Sequence, residues 1–239
     1  WAADFRYRAD MSTLESFGPD IWVAEGPVVS FYGFPYPTRM VLIRLSGGGL
    51  FVWSPIALTP ELKAEVDALG PVAHLISPNK IHHLYMGEWK AAYPDAKLHA
   101  SPGLAKRRKD LRFDGLLGDT PDPAWAADID QVEMAGSFAM TEIVFFHRKS
   151  RTAIFADLIE NFARDWFKSW KGILARLDGI VGPYGGAPRE WRLTFRKATA
   201  RAALARILAW QPEQVVMAHG EMTRHDGTAF IRKSFRWLA

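Results

Sequence analysis

The sequence contains no cysteine. That excludes disulfides, thiolate nucleophiles, iron–sulfur clusters and zinc sites built on thiolates, so any metal has to be held by His, Asp or Glu. Long apolar runs are missing too. The strongest ones, Met40 to Leu45 and Gly49 to Trp53, fall far short of the roughly 20 residues that cross a bilayer, so neither a membrane span nor a membrane partner is expected. Charge is not strongly one-sided: 30 Lys and Arg stand against 26 Asp and Glu, a formal net of +4. Such an excess can favour anionic substrates but is no nucleic-acid footprint. The expected partner is therefore a small-molecule substrate and no nucleic acid, with the oligomeric state left open. A cytoplasmic location is expected, with export left open because the chain begins at Trp1 rather than Met.

What is present is an ordinary globular composition, 49% hydrophobic and 23% charged over 239 residues, sized for one large domain. No repeat or linker divides the chain, and a single domain over 1–239 is expected. Short β-favouring runs alternate with turns from Ile21 to Trp53, and Ser46-Gly47-Gly48-Gly49 joins two of them as a hairpin. Thr59 caps a helix opened by Pro60 and closed at Gly70-Pro71. Val72 to Ser77 reads as a buried strand, Leu84 to Tyr93 as a helix and Ala96 to Ala100 as a strand. Strand and helix therefore alternate, as in layered α/β folds. Leu111 to Ala127 reads as a surface loop, and Glu142 to His147 with Thr152 to Leu158 as a hairpin. A helix over Ala163 to Leu177 carries Trp166, Trp170, Ile173, Leu174 and Leu177 on one side, which reads mainly as core. A long helix carries a second stripe of Trp191, Phe195, Ala198, Ala202 and Ala205. Gln214 to Met217 is a last strand, and Gly227 to Leu238 a terminal helix.

Seven histidines are present, and their positions relative to strand ends matter more than their number. His82 and His83 follow the Val72 strand, Asp157 ends the Thr152 strand and His219 follows the Gln214 strand. Functional groups collect where strands of layered folds give way to loops. Three imidazoles and a carboxylate at one rim suit zinc, iron or manganese and leave room for water. Helix capping would account for Asp157 alone, and a tight turn for His219; only the joint pattern suggests a ligand set. His74, His99 and His225 receive no role.

The order of elements resembles the metallo-β-lactamase superfamily, whose members lead a strand into Thr-His-x-His-x-Asp-His. Here Leu75-Ile76-Ser77 leads into Pro78-Asn79-Lys80-Ile81-His82-His83. Setting the motif's last His on His83 puts His82 where the family has Asp, and Pro78 and Lys80 where it has its first two histidines. Phe155-Ala156-Asp157 resembles the strand end carrying the family's bridging Asp, and Ala218-His219-Gly220 its Gly-His-Gly turn. The phrases Thr38-Arg39-Met40, Trp53-Ser54-Pro55-Ile56, Pro78-Asn79, His82-His83 and Glu142 to His147 resemble a branch of the superfamily known as a domain of unknown function. The resemblance implies a four-layer αββα sandwich of α/β class. Its first metal site has lost its histidines, which implies at most one divalent ion, held by His82, His83, Asp157 and His219.

The leading expectation is a hydrolase in which that ion activates water against an ester, lactone or phosphoester, with Lys80 or His147 as charge stabiliser or proton donor. The alternatives are a metal-free binding or interaction scaffold that has lost the dinuclear centre, and a redox protein with mononuclear iron.

Overall fold

Alternation within the strands dictates the layers. The computed structural model describes residues 13–239; the first twelve residues of the expected 1–239 unit lie outside the described residues. In chain order the elements are β1 (Glu15–Gly18), β2 (Ile21–Phe31), β3 (Phe34–Arg44), β4 (Leu50–Trp53), α1 (Pro60–Leu69), β5 (Val72–Ser77), α2 (Met86–Ala92), β6 (Lys97–Ala100), α3 (Leu104–Arg107) and β7 (Gly115–Leu116). They continue as β8 (Ile129–Met134), β9 (Glu142–His147), β10 (Thr152–Phe155), α4 (Ser169–Asp178), α5 (Arg189–Arg192), α6 (Lys197–Ala209), β11 (Gln214–Met217) and α7 (Gly227–Ser234), with a terminal 3-10 turn at Arg236–Leu238. One sheet runs β1-β2-β3-β4-β5-β6-β7 and the other β11-β10-β9-β8.

Successive side chains of a strand point to opposite faces, so a strand buried on both sides is apolar throughout. In β4, Phe51 and Trp53 join a core shared with Phe145 and Ile154 of the second sheet, while Leu50 and Val52 join Leu62, Val66, Met86 and Trp89 of α1 and α2. In β9, Ile143 and Phe145 face the inter-sheet core, and Val144 and Phe146 pack with Ala200, Ala203, Ile207, Phe230 and Ile231 of α6 and α7. Helices thus cover the outer face of each sheet, giving the αββα sandwich of α/β class.

Local signals are reproduced where they were strong. Thr59 accepts a hydrogen bond from the Leu62 amide at 3.2 Å, with Pro60 in the first turn of α1 and Gly70 beyond its end. Between β2 and β3, Tyr32 and Gly33 both adopt positive φ, 48° and 79°, the twist that a two-residue hairpin turn requires.

Three sequence expectations need correction. The loop from Leu111 to Ala127 is not confined to the surface: it contains β7, and Trp125 is 1% exposed against Phe51, His74 and His99. The second apolar stripe is out of phase after Phe195, because the chain turns between α5 and α6. The helix buries Ala200, Ala203 and Ile207 and exposes Ala198, Ala202 and Ala205. The stripe read over 163–177 divides: Trp166 precedes α4 and is half-buried against the Phe162 and Phe167 cluster, whereas Trp170, Ile173, Leu174 and Leu177 of α4 face outward and leave Gly172 and Ala175 as its buried residues. Periodicity finds an apolar face without saying what meets it.

Phe145 lies between the sheets, fully buried and 5.5 Å from the Phe51 ring. Phe145→Ala is expected to lower unfolding free energy by about 3–5 kcal/mol, read from the urea midpoint; a loss within the noise of a surface substitution would contradict this packing.

Candidate metal centre

The site forms where three strands end. β10 and β11 are parallel, pairing Phe155 with Met217, so the segments after them leave the sheet side by side. Asp157 and His219 each lie two residues past their strand. His82 comes from the other sheet, on the turn between β5 and α2. That turn is set by Asn79, whose Oδ1 accepts from the Ile81 and His82 amides at 3.0 and 3.3 Å. The Ser77 hydroxyl lies 2.7 Å from both the Asn79 and the His82 carbonyls. Beyond His219 the chain doubles back, and at Gly220 (φ 93°) an added Cβ would lie 2.2 Å from the Asn161 carbonyl oxygen, leaving room only for glycine.

His82, Asp157 and His219 each offer a ligand atom, and the three atoms lie within 4.8 Å of one another. The Nε2 atoms of His82 and His219 stand 3.3 and 3.2 Å from Asp157 Oδ1. Both outer ring nitrogens are engaged elsewhere: His219 Nδ1 lies 2.7 Å from the Pro37 carbonyl, and His82 Nδ1 2.8 Å from Ser54 Oγ. A carbonyl only accepts, so His219 Nδ1 carries the proton. Its Nε2 lone pair then faces an anionic oxygen, a contact that calls for a cation, either a second ring proton or a metal ion, between the atoms. Histidines that ligate metals characteristically donate their other N–H to such a partner, which fixes tautomer and ring orientation.

Behind the triad lies a second buried carboxylate that sequence reasoning missed. Glu142 accepts hydrogen bonds from the Ala156 and Asp157 amides at 2.8 Å each and from Asn79 Nδ2 at 3.1 Å. Asn79 Nδ2 also donates to Asp157 Oδ2 at 2.7 Å, so one amide group holds both carboxylates. Burial and the Asp157 charge push Glu142 up to about 7 against the pull of those donors. Burial also works against ionised Asp157, yet His82 and His219 hold its carboxyl well below the usual range. For His82 burial disfavours the imidazolium, and the Asp157 charge outweighs it and raises the pKa. Glu160, likewise buried and raised by burial and Asp157, accepts from the Tyr36 hydroxyl at 3.1 Å. Asn79 and Glu142 both stood in the sequence phrases carrying the family resemblance. A polar residue within an otherwise buried strand end was the available signal.

The other candidate residues are placed elsewhere. His83 is outside the triad: its Nδ1 lies 3.0 Å from an Arg108 guanidinium nitrogen, and burial and that cation lower its pKa. Adjacent side chains diverge, and the turn that aims His82 inward aims His83 across the rim. Lys80 donates through Nζ to the Ala139 carbonyl, which ties its ammonium to a loop. His147 is remote from the triad. It pairs with Thr152 at the start of β10, the end opposite Asp157, and its Nδ1 lies 2.8 Å from Ser150 Oγ. Its expected place at the rim fails because β9 and β10 are antiparallel.

The triad opens into a cleft of about 660 Å³, lined among others by Phe31, Tyr36, Ile81, Met140, Trp191 and Thr194. Arg39 braces its floor: buried between β2 and β11, it donates to the Met217 and Gly220 carbonyls flanking His219 and pairs with Glu25.

Residues 20–171 match the family described as a domain of unknown function, DUF4336. No curated protein matches the sequence. Among solved structures, a metallo-β-lactamase from Pontibacter korlensis is similar at TM-score 0.62 and 11% identity, covering 94% of this chain and 97% of that one. The FIM-1 metallo-β-lactamase from Pseudomonas aeruginosa in its mono-zinc form is similar at TM-score 0.62 and 10% identity, covering 95% and 96%. A metallo-β-lactamase from Erythrobacter litoralis gives 0.60 and 12%, covering 94% and 91%. Likeness at such identities concerns the fold.

Burial pushes His147 down to about 4 from an ordinary 6.5, and His99 likewise. A lowered folded-state pKa gives a contribution that is complete above pH 6.5 and is lost as pH falls toward about 4. The melting temperature is expected to fall across that window. His147→Gln should flatten part of the fall without altering metal content; an unchanged slope would contradict the assignment.

Proposed function

The chain belongs to the family described as domain of unknown function DUF4336 and has the metallo-β-lactamase fold, and on that footing we propose a hydrolase-type centre in which His82, Asp157 and His219 hold one divalent cation. The observation that carries this reading is that three ligand atoms lie within 4.8 Å of one another while the outer nitrogens of both imidazoles are already engaged. The donor set fits: two neutral imidazoles and a carboxylate suit zinc or Fe(II), and three protein ligands leave coordination room for water or substrate. FIM-1, a protein of the same fold, is described in a mono-zinc form, and one ion is the number proposed here.

When bound, such an ion supplies Lewis acidity toward a water or a substrate oxygen. The chain's own groups do the rest. Pro37 and Ser54 fix the two rings, Asn79 orients Asp157, and Glu142 holds the strand end from which Asp157 projects. The cleft wall of Phe31, Ile81, Met140 and Trp191 excludes water and receives the apolar part of a substrate. Esters, lactones and phosphoesters remain the substrate classes proposed. Two imidazoles and one carboxylate also suit a redox-active iron, and metal identity separates that reading from hydrolysis.

Protein purified without added metal is expected to carry about one divalent ion per chain by elemental analysis. Added zinc at a hundredfold excess over its dissociation constant should stabilise the chelated protein by about 2.7 kcal/mol. Asp157→Ala and His219→Ala should lose both the ion and the thermal shift, whereas His83→Ala should keep them. A protein free of metal, indifferent to chelator and unshifted by zinc or Fe(II) would overturn the proposal in favour of a metal-free scaffold.

A further inference from the structure

The outward face of α4 raises the question of what covers it. Trp170, Ile173, Leu174 and Leu177 follow the spacing of a single helical stripe, and all four are exposed, Trp170 by 57% and Leu177 by 65%. Apart from the Phe34 ring at the edge of Trp170, these side chains stay open on their outer side. The stripe is continuous with the tip of the β2–β3 hairpin: Lys171 Nζ donates to the Gly33 carbonyl at 2.6 Å, and the Phe34 and Trp170 rings lie 5.9 Å apart. At that tip Tyr32 is 90% exposed, with Phe31 beside it. At the other end of α4, Arg192 of α5 donates to the Asp178 carbonyl at 2.8 Å, and its neighbour Leu193 is 82% exposed. Phe31 and Tyr32 also line the cleft, so the apolar surface runs from the helix to the mouth of the site.

Charge decides what such a surface fits. Between residue 163 and the end of α4 at Asp178 the chain carries Arg164, Lys168, Lys171 and Arg176 against two acids, Asp165 and Asp178. A short amphipathic helix with Trp and Leu on one side and Lys and Arg around it is the composition of helices that lie in a lipid headgroup layer, where cations meet anionic lipid and the apolar side sinks to the acyl boundary. A second copy of the chain would present the same cations to one another across the stripe, and like charges there oppose association.

We propose that α4 and the tip of the β2–β3 hairpin form a peripheral docking surface for a bilayer carrying anionic phospholipid headgroups, with the cleft mouth opening beside that bilayer. No helix among the described residues is long and apolar enough to cross a membrane, and none is needed, because the contact is made from one side. The docking does not depend on a metal ion in the neighbouring centre.

The test is flotation of the full chain with phosphatidylcholine vesicles, with and without phosphatidylglycerol. Binding is expected to the anionic vesicles only, to fall steeply with salt, and to weaken at least about tenfold in Trp170→Ser/Leu174→Ser. Because both side chains are exposed, that variant should keep the wild-type melting temperature. Lys168→Glu/Arg176→Glu, which leaves the stripe intact, should likewise lose the anionic preference. Brominated lipid should quench wild-type fluorescence more than that of Trp170→Phe. No flotation of the wild type with anionic vesicles, or flotation of both double variants equal to that of the wild type, would overturn the proposal. So would a concentration-dependent dimer in light scattering that Trp170→Ser/Leu174→Ser abolishes, since the face would then belong to a second copy.

Discussion

The structure around the site depends on placing two carboxylates, Glu142 and Asp157, side by side where the sheets meet and water is excluded. Two anions in such a place repel, and each loses hydration worth several kcal/mol unless donors replace it. The Asn79 amide supplies part of the answer by donating to both; the Ala156 and Asp157 amides supply more to Glu142. The rest comes from unequal charging. Glu142, pushed up to about 7, holds a proton far more readily than Asp157, which stays ionised against two imidazoles. The same bonds fix backbone: Asn79 sets the His82 turn, and Glu142 locks the exit of β10.

From that arrangement the orientation of the imidazoles follows. Each ring is held from behind, by Ser54 or by Pro37, with its Nε2 toward Asp157. His219 gains further restraint from Tyr36, whose ring meets it edge-on at 5.0 Å, and from Phe162, stacked at 6.3 Å. Side chains held by packing as well as hydrogen bonds would lose little entropy on closing around the proposed ion. Arg39 adds backbone stiffness, because its guanidinium holds the carbonyls on either side of the His219 segment.

The parts of this structure that sequence makes legible are those governed by local chemistry. The α1 cap at Thr59, the Val72–Ser77 strand and the Gln214–Met217 strand depend on residues within a few positions of one another. The convergence of His82, Asp157 and His219 was legible because strand ends of such folds share a rim. What was not legible depended on partners distant in sequence. Which of two adjacent histidines turns inward is decided by Asn79 on one side and Arg108 on the other. That His147 sits at the wrong end of its strand follows from antiparallel pairing with β10. The phase of α6 after Phe195 and the outward face of α4 depend on tertiary packing, which an apolar stripe alone does not specify. The roles of Asn79 and Glu142 required knowing that Pro78 and Ile143 would be hydrogen-bonded neighbours, 2.8 Å apart from amide to carbonyl.

The charges around the triad bear on the proposal of a single cation. A pair of dications would require anions to balance it. Here the buried acids are Asp157 and Glu160, which line the cleft, and Glu142 behind them. Burial favours the neutral form of the latter two, and Tyr36 and the Asn79 amide already occupy them. One firmly ionised carboxylate therefore remains, matched with two imidazoles. The residues standing at the positions of the family's first two histidines have been absorbed into structure: the Pro78 carbonyl accepts the Ile143 amide, and the Lys80 ammonium is tied to the Ala139 carbonyl. On the proposed reading, then, the arrangement offers ligand atoms for one ion and no second cluster of them among the described residues.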